Sequence, residues 1–307
     1  MHLKDIIQKK NNLENIKIKV NNDKNILLIS IMKLTRKLTF YVDNALLNVQ
    51  LMNALKNKYH IKNNFIEENT FLKKFRNLTK SQKLKNLISK EKELYIYLTE
   101  EQKYGTDSYS RYEKVILENI TNKNVDFILI GNRAISFAKQ NNLNVIKTFK
   151  NSAVPNLAKI LTQLTKILYL DSDYTRVHFV INSNKNYKEA FTILPISNFD
   201  VDKLLHIDLE NEFDKVIQDY KIHPNIEGFI DNQVSIFIEN AINSLIIESS
   251  FYNAKNALVA ANKKSKQLDE EILKVSKRIN RVKQEKQIEE IVLLTKKKKT
   301  IFEENND

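Results

Sequence analysis

The chain has 307 residues, 42% of them apolar and 28% charged, with 50 Lys and Arg against 37 Asp and Glu for a net charge of +13. It contains no Cys, which excludes disulfides, thiol catalysis and cysteine metal sites. Only three Gly and three Pro in this length point to long helices with few tight turns. The opening residues, Met1 to Lys10, are too charged for a signal peptide, and the longest apolar run, Ile26 to Met32, is far short of a membrane span. The expectation is a soluble, cytoplasmic chain.

The charge is unevenly placed. Residues 1–90 hold 19 basic and 6 acidic side chains, and so carry the whole excess. Such a segment reads either as contact with an acidic partner (nucleic acid, lipid or an acidic protein surface) or as a solvated Lys-rich face. The abundance of Asn and of Lys over Arg fits an AT-rich genome and any function.

Residues 3–59 carry an apolar 3–4 spacing through Leu3, Ile6, Leu13, Val20, Leu27, Ile31, Leu34, Leu38, Tyr41, Ala45, Met52, Leu55 and Tyr59. Lys10, Lys17, Lys24 and Asn48 share that register. The spacing predicts one long helix with a weak point at Asn21-Asn22-Asp23, where propensity falls and a kink or short insertion is expected. Residues 60–90 continue as basic, amphipathic helix (Phe71, Phe75, Leu78, Leu84, Leu87, Ile88). The character changes at Glu93. Strands are predicted at Leu94–Leu98, Phe127–Gly131, Asn144–Phe149, Val177–Ile181 and Phe191–Leu194, the last two joined by an Asn182–Asn186 turn. Helices are predicted at Tyr109–Thr121, Arg133–Asn141 and Ala158–Tyr169. This alternation predicts a small, mostly parallel sheet covered by helices. Residues 198–230 read as a connector punctuated by Pro224 and Gly228.

The last segment has no Pro or Gly after Gly228, which predicts a helix from near Asp231 to about Phe302. At 1.5 Å per residue, roughly 70 residues make a rod of about 100 Å. Within it Phe251, Ala254, Leu258, Ala261, Ser265, Leu268, Ile272, Val275, Ile279 and Val282 alternate three and four apart, the signature of a left-handed supercoil seam. Two such seams, one at each chain end, most simply satisfy each other as an antiparallel coiled coil. Dimerisation with a second copy competes with that reading. The predicted fold class is α/β: two long terminal helices paired in an antiparallel coiled coil, with a small Rossmann-like α/β domain inserted. The expected divisions are 1–90, 91–230 and 231–307. The seam is assigned to Leu27, Ile31, Leu34, Leu38, Ala254, Leu258, Ala261, Leu268, Ile272, Val275, Ile279 and Val282.

This layout resembles the gamma subunit of F-type ATP synthases, the central rotor shaft, over the whole chain. Glu289-Glu290-Ile291-Val292 matches the family's Glu-Ile-Val ending, and Ala257 with Ala260-Ala261 its small-residue stretch. Lys277-Arg278 and Arg281 lie near its basic element. Leu3-Lys4-Asp5-Ile6 looks like its opening, and Met32-Lys33-Leu34 like its later Lys-Leu box, displaced by about three residues. Ile130-Gly131-Asn132-Arg133 and Val177-His178-Phe179-Val180-Ile181-Asn182 sit where the family has its Ile-Gly and Val-x-x-Val-x-Asn strands. The family's Gly-rich loop after the first strand is replaced by Glu100–Ser110, with Gly105 as its one glycine. The family's Arg-Gln pair falls on Asn280-Arg281 and its Ile-Thr on Gln284-Glu285.

The resemblance implies a non-catalytic shaft inside a hexameric ATPase head. It would contact alpha- and beta-like subunits through Lys33, Arg36, Lys277, Arg278, Arg281 and Glu290. A foot carrying Glu100, Glu101, Tyr104 and Tyr109 would dock on an epsilon- or c-ring-like partner, or on a replacement, at the inner face of a membrane. It implies no cofactor and no nucleic acid. The departures suggest a specialised paralogue. Wall-less bacteria with AT-rich genomes carry extra ATPases resembling the F-type head, some linked to gliding motility rather than to ATP synthesis and proton transport. Two other classes stay open: a basic coiled-coil protein that binds nucleic acid, and a self-associating adaptor.

No residue set assembles catalysis. One glycine in Ile130-Gly131-Asn132-Arg133 cannot supply what a dinucleotide loop needs. His2, His60, His178, His206 and His223 lack ligand spacing, so His178 reads as a packed or surface residue. Asp171 and Asp173 read as turn residues. The Lys296–Lys299 run reads as a complement to a helix C-terminus.

Overall fold

The computed structural model describes residues 3–61, 63–67, 92–101, 107–120, 124–172, 174–183, 190–199, 221–223 and 225–303, with side chains to 295. Of the helix expected over 60–90, residues 63–67 form turns instead, with Ile66 N donating to Asn63 O at 3.0 Å; its remainder from 68 on, the turn beyond Ser183, Tyr104, Gly105, Asp173, Pro224, His2, His206 and the side chains of Lys296–Lys299 lie outside that description.

Helix α1 spans Leu3–Tyr59 without interruption. Of the kink or short insertion expected at Asn21-Asn22-Asp23, the insertion is absent, since the helix runs on through these residues in sequence. Three poor helix formers cost only about 2 kcal/mol together, and the apolar register continues past them with Leu13, Val20 and Leu27 half-buried. Strand β1 (Lys92–Leu98) is followed by α2 (Tyr109–Ile120), β2 (Asn124–Ile130), α3 (Asn132–Gln140), β3 (Asn144–Phe149), α4 (Leu157–Asp171), β4 (Arg176–Val180) and β5 (Phe191–Leu194). Helix α5 then runs from Ile226 to Glu303. It starts ahead of the expected Asp231, because Asn225 caps it: its Oδ1 accepts from Gly228 N at 2.7 Å. Gly228 therefore lies inside the first turn and does not end the connector. Asp171 is the last residue of α4 rather than part of a turn.

Among the described residues, five strands form one sheet in the order β3-β2-β1-β4-β5. β1 pairs in parallel with β2 and β4, β2 in parallel with β3, and β5 closes the edge antiparallel to β4. The mostly parallel sheet and the paired last two strands agree with the sequence reading. Parallel strands buried on both faces become near-continuous apolar runs, as in Leu94-Tyr95-Ile96-Tyr97-Leu98 and Phe127-Ile128-Leu129-Ile130, all buried. Alternation then sorts them. Leu94, Ile96, Leu98, Ile128 and Ile130 pack in one core with Leu38, Val42 and Ala45 of α1, Leu161 of α4, and Phe237, Ala241 and Leu245 of α5. Tyr95, Tyr97, Phe127 and Leu129 pack in the other with Tyr109, Tyr112 and Ile116 of α2 and Phe137 of α3. Each such aliphatic or phenyl side chain contributes about 1.5–3 kcal/mol through burial.

The chain forms two compact units, Ser30–Lys255 and Met1–Ile29 with Asn256–Asp307. In the larger unit α1 and α5 share one core, and Asn48 links to Gln233 at 2.8 Å and to Asn240 at 3.4 Å. In the smaller unit Lys17 pairs with Asp269 at 2.5 Å and Asn21 accepts from Ser265 at 3.4 Å. Four residues forward on one helix are four residues back on the other, so these segments are antiparallel. Among the described residues there, Ile6, Ala261, Leu268 and Ile279 are the buried apolar ones.

Candidate functional site

Parallel α/β sheets place functional groups on the loops at the carboxyl ends of their strands. In this chain those ends carry Thr99-Glu100 after β1, Gly131-Asn132-Arg133 after β2, Ser152 after β3 and Asn182-Ser183 after β4. Gly131 has φ +101°, and a Cβ there would collide with the Thr99 carbonyl oxygen. Its N–H donates to Phe149 O at 2.9 Å. Glycine is needed because the backbone passes against the end of β1. The start of α3 is closed by Thr99, whose Oγ1 accepts from Ala134 N at 3.1 Å. Gly131 N and Ala134 N are thus engaged with the chain itself where the backbone crosses the end of β1.

Arg133 builds the first polar node. Its Nε and Nη2 donate to the two carboxylate oxygens of Glu113, both at 2.8 Å, and its Nη1 pairs with Asp107 at 2.6 Å. The guanidinium lies over the Tyr109 ring, 5.3 Å from its centroid. Asp107 Oδ1 also accepts from Tyr109 N at 3.1 Å and Ser110 N at 3.3 Å, which fixes the start of α2. Burial would raise the Asp107 carboxyl, but hydrogen bonds from Ser110 and Arg133 prevail and hold it at about 2. The hydrogen bond to Glu113 is the main cause that raises the Arg133 guanidinium, which stays charged throughout. Tyr97 donates to Glu113 at 3.2 Å, and burial followed by that carboxylate pushes its phenol upward.

Glu100 builds the second node. Its Oε1 accepts from Ser250 Oγ of α5 at 2.7 Å and from Ser152 Oγ at 3.1 Å, and its Oε2 accepts from Asn253 Nδ2 of α5 at 2.7 Å. Its N–H donates to the Tyr109 hydroxyl at 2.9 Å. Asn253 Oδ1 in turn accepts from Asn182 Nδ2 at 2.8 Å. Close by, buried Ser183 donates through Oγ to buried Glu248 at 2.9 Å. The arrangement fastens the sheet's carboxyl edge to the long helix.

Of the residues assigned to the seam, Leu38, Ala261, Leu268 and Ile279 are buried, while Leu27, Ile31, Leu34, Ala254, Leu258, Ile272, Val275 and Val282 are half-buried. Lys33, Arg36, Lys277, Arg278, Arg281 and Glu290 are exposed, with Arg281 paired to Glu285 at 3.0 Å. Of the residues assigned to the foot, Glu101 is exposed, Glu100 is half-buried with its carboxylate in the second node, and Tyr109 is buried. His178 is packed, its Nδ1 3.2 Å from Thr192 Oγ1 and its Nε2 3.5 Å from buried Glu93. The sequence reading marked Asn182 only as the end of a strand and the start of a turn, and did not find Ser152, Ser250 and Asn253, which reach Glu100 from up to 153 residues away. No local pattern marks those three serine and asparagine side chains. Among the described residues, no helix is long and apolar enough to cross a membrane, and no group of three or more His, Cys, Asp or Glu could hold a metal ion.

The fold and its joint define a mixed α/β body fastened to a long C-terminal helix. The chain belongs to the family of the uncharacterized protein UU050 of Ureaplasma parvum serovar 3, with which it shares 47% identity over 307 residues, covering 100% of this chain and 98% of that protein. It is also similar to the ATP synthase gamma chains of Lactobacillus gasseri, at 27% identity over 170 residues, and Lactobacillus johnsonii, at 25%. Those alignments cover 53% of this chain and 51% of each gamma chain. No family model matches. Among solved structures, a rotor chain of the Euglena gracilis mitochondrial ATP synthase aligns at 12% identity and TM-score 0.44, covering 92% of this chain and 98% of that one. A second Euglena gracilis ATP synthase structure gives 11% and 0.47, covering 97% and 94%.

Proposed function

We propose that this chain is a gamma-like central shaft of an F-type-like rotary ATPase, and that it couples ATP turnover in a surrounding ring to rotation without catalysing the reaction. One observation carries the reading: both chain ends form long helices, antiparallel where Lys17 and Asn21 meet Asp269 and Ser265, with an α/β body between them in sequence. The sequence similarity to two ATP synthase gamma chains supports it. On this reading the two helices supercoil, and their outer faces, with Lys33, Arg36, Lys277, Arg278, Arg281 and Glu290, meet alpha- and beta-like subunits. An eccentric shaft then biases each catalytic subunit by differential contact, which is what coupling requires. The body within 91–230 forms the foot, with exposed Glu101 on a loop altered from the family's Gly-rich form. The altered loop supports a replaced docking partner at a membrane face and a specialised role such as gliding motility.

The helix end supports the same reading. From Lys283 to Thr295 every described side chain of α5 is exposed, including Ile288, Ile291, Val292, Leu293 and Leu294 at 46–68%. Exposed apolar residues in such number mark a surface that another protein covers. The test is affinity capture of the tagged chain from cells of its source, with partners identified by mass spectrometry. A hexameric ATPase is the expected partner. A partner set made of nucleic acid and ribosomal proteins, with affinity falling steeply as salt rises, would move the assignment to phosphate-backbone binding.

A further inference from the structure

The sheet reverses its winding at β1. The chain leaves β1 for β2 on one side and returns later to β4 on the other. The loops after β1 and β4 therefore part, and the crevice between them is where open α/β sheets take their ligands. Here Glu100 follows β1, Asn182 follows β4, and the side chain joining them is Asn253 of α5. Its Nδ2 donates to Glu100 at 2.7 Å and its Oδ1 accepts from Asn182 at 2.8 Å. Ser250, one turn earlier on α5, donates to the same carboxylate at 2.7 Å. The surroundings are dry: Asn182, Ser183 and Ser249 are 0% exposed.

We infer that α5 is the built-in ligand of this sheet, and that Glu100, Asn253 and Asn182 form a latch that seats one turn of the long helix in the crevice and makes sheet body and helix move together. The chemistry at position 253 is specific. A carboxamide offers one donor, which suits the Glu100 carboxylate, and one acceptor, which suits the Asn182 amide. A carboxylate there would keep the acceptor but set like charges against each other. An apolar side chain would take the partner from Glu100 Oε2 and from the amide of Asn182, which is fully buried, where that costs most. The latch is independent of what the assembled shaft serves, because the contacts all lie within the Ser30–Lys255 unit.

Complementation tests it. Hydrogen exchange is followed on the purified full chain for the amides of residues 248–256, against those of β2 as an internal reference. Asn253→Asp should speed exchange in the helix window about tenfold or more, the scale of a lost hydrogen bond to a charged group, with β2 unchanged. Glu100→Gln supplies an amide donor that suits the carboxylate introduced at position 253, so the double variant E100Q/N253D should exchange more slowly than N253D alone. A wild-type rate in N253D, or a double variant in which the two effects multiply, overturns the latch. Should N253D fail to fold, recovery of a folded chain in the double variant supports it, and failure of both variants overturns it. A structural contact without this donor–acceptor matching gives no rescue.

Discussion

Gly131 shows how one residue can be forced by a backbone neighbour. With φ +101° and the Thr99 carbonyl standing where any Cβ would project, alanine meets both a disfavoured backbone region and main-chain atoms that cannot move aside. Gly131→Ala should therefore destabilise the chain by about 2–5 kcal/mol, strain and overpacking together. Denaturant unfolding measures it, and a change below about 0.5 kcal/mol would show that the crossing is loose. Asp107 gives a second residue-scale expectation. Its folded-state carboxyl titrates at about 2, below its ordinary value of 3.8. A depressed acid contributes stability above its unfolded value and loses it as pH falls through the folded one. Asp107→Asn should be less stable than wild type at neutral pH, and the gap should close between about pH 4 and pH 2. Parallel melting curves that keep a constant gap over that range would contradict it. The Arg133 node was only partly legible in the sequence. Asn132-Arg133 after a strand is visible, but its carboxylate partners Asp107 and Glu113 lie 26 and 20 residues away and are chosen by packing.

At the scale of elements, periodicity was the legible part. The strands from Leu94 to Leu194 and the helices between them follow from apolar runs and their lengths, and so does their parallel pairing. Ends were less legible. Asn225 is a good cap in principle, but it follows Pro224 and stands three residues before a glycine, so its neighbours read as a connector. The Asn21-Asn22-Asp23 stretch read as a weak point because propensity is local, whereas the register of Leu13, Val20 and Leu27 acts over several turns. Position within the smaller unit should decide what each side chain is worth. Leu268 is 2% exposed, so Leu268→Ala should cost about 2–5 kcal/mol. Lys266 is exposed, and Lys266→Ala should stay within about 0.5 kcal/mol. Unfolding followed by far-ultraviolet circular dichroism separates the two. Equal small effects would mean that the apolar stripe from Ala261 to Ile279 does not hold the helices together.

For the whole molecule, the question is which parts hold the chain together and which parts meet others. The residues beyond Val282 on α5 separate these roles. α1 begins at Leu3 and its buried Ile6 belongs to the same unit as buried Ile279, whereas from Lys283 to Thr295 no described side chain of α5 is buried. A chain truncated after Val282 should therefore keep its fold. The lost segment removes exposed side chains and isolated helix turns, which add little stability without packing, so its melting temperature should shift by less than about 2 °C. Capture of the proposed ring partner should fall sharply, because Ile288, Ile291, Val292, Leu293 and Leu294 are exposed apolar residues that a partner would cover. The two measurements fail in different ways. A drop of many degrees would mean that this end is held within the chain and belongs to its own core. Undiminished capture with an unchanged melting temperature would place the partner contact elsewhere, on the outer faces of α1 and α5 or on the α/β body.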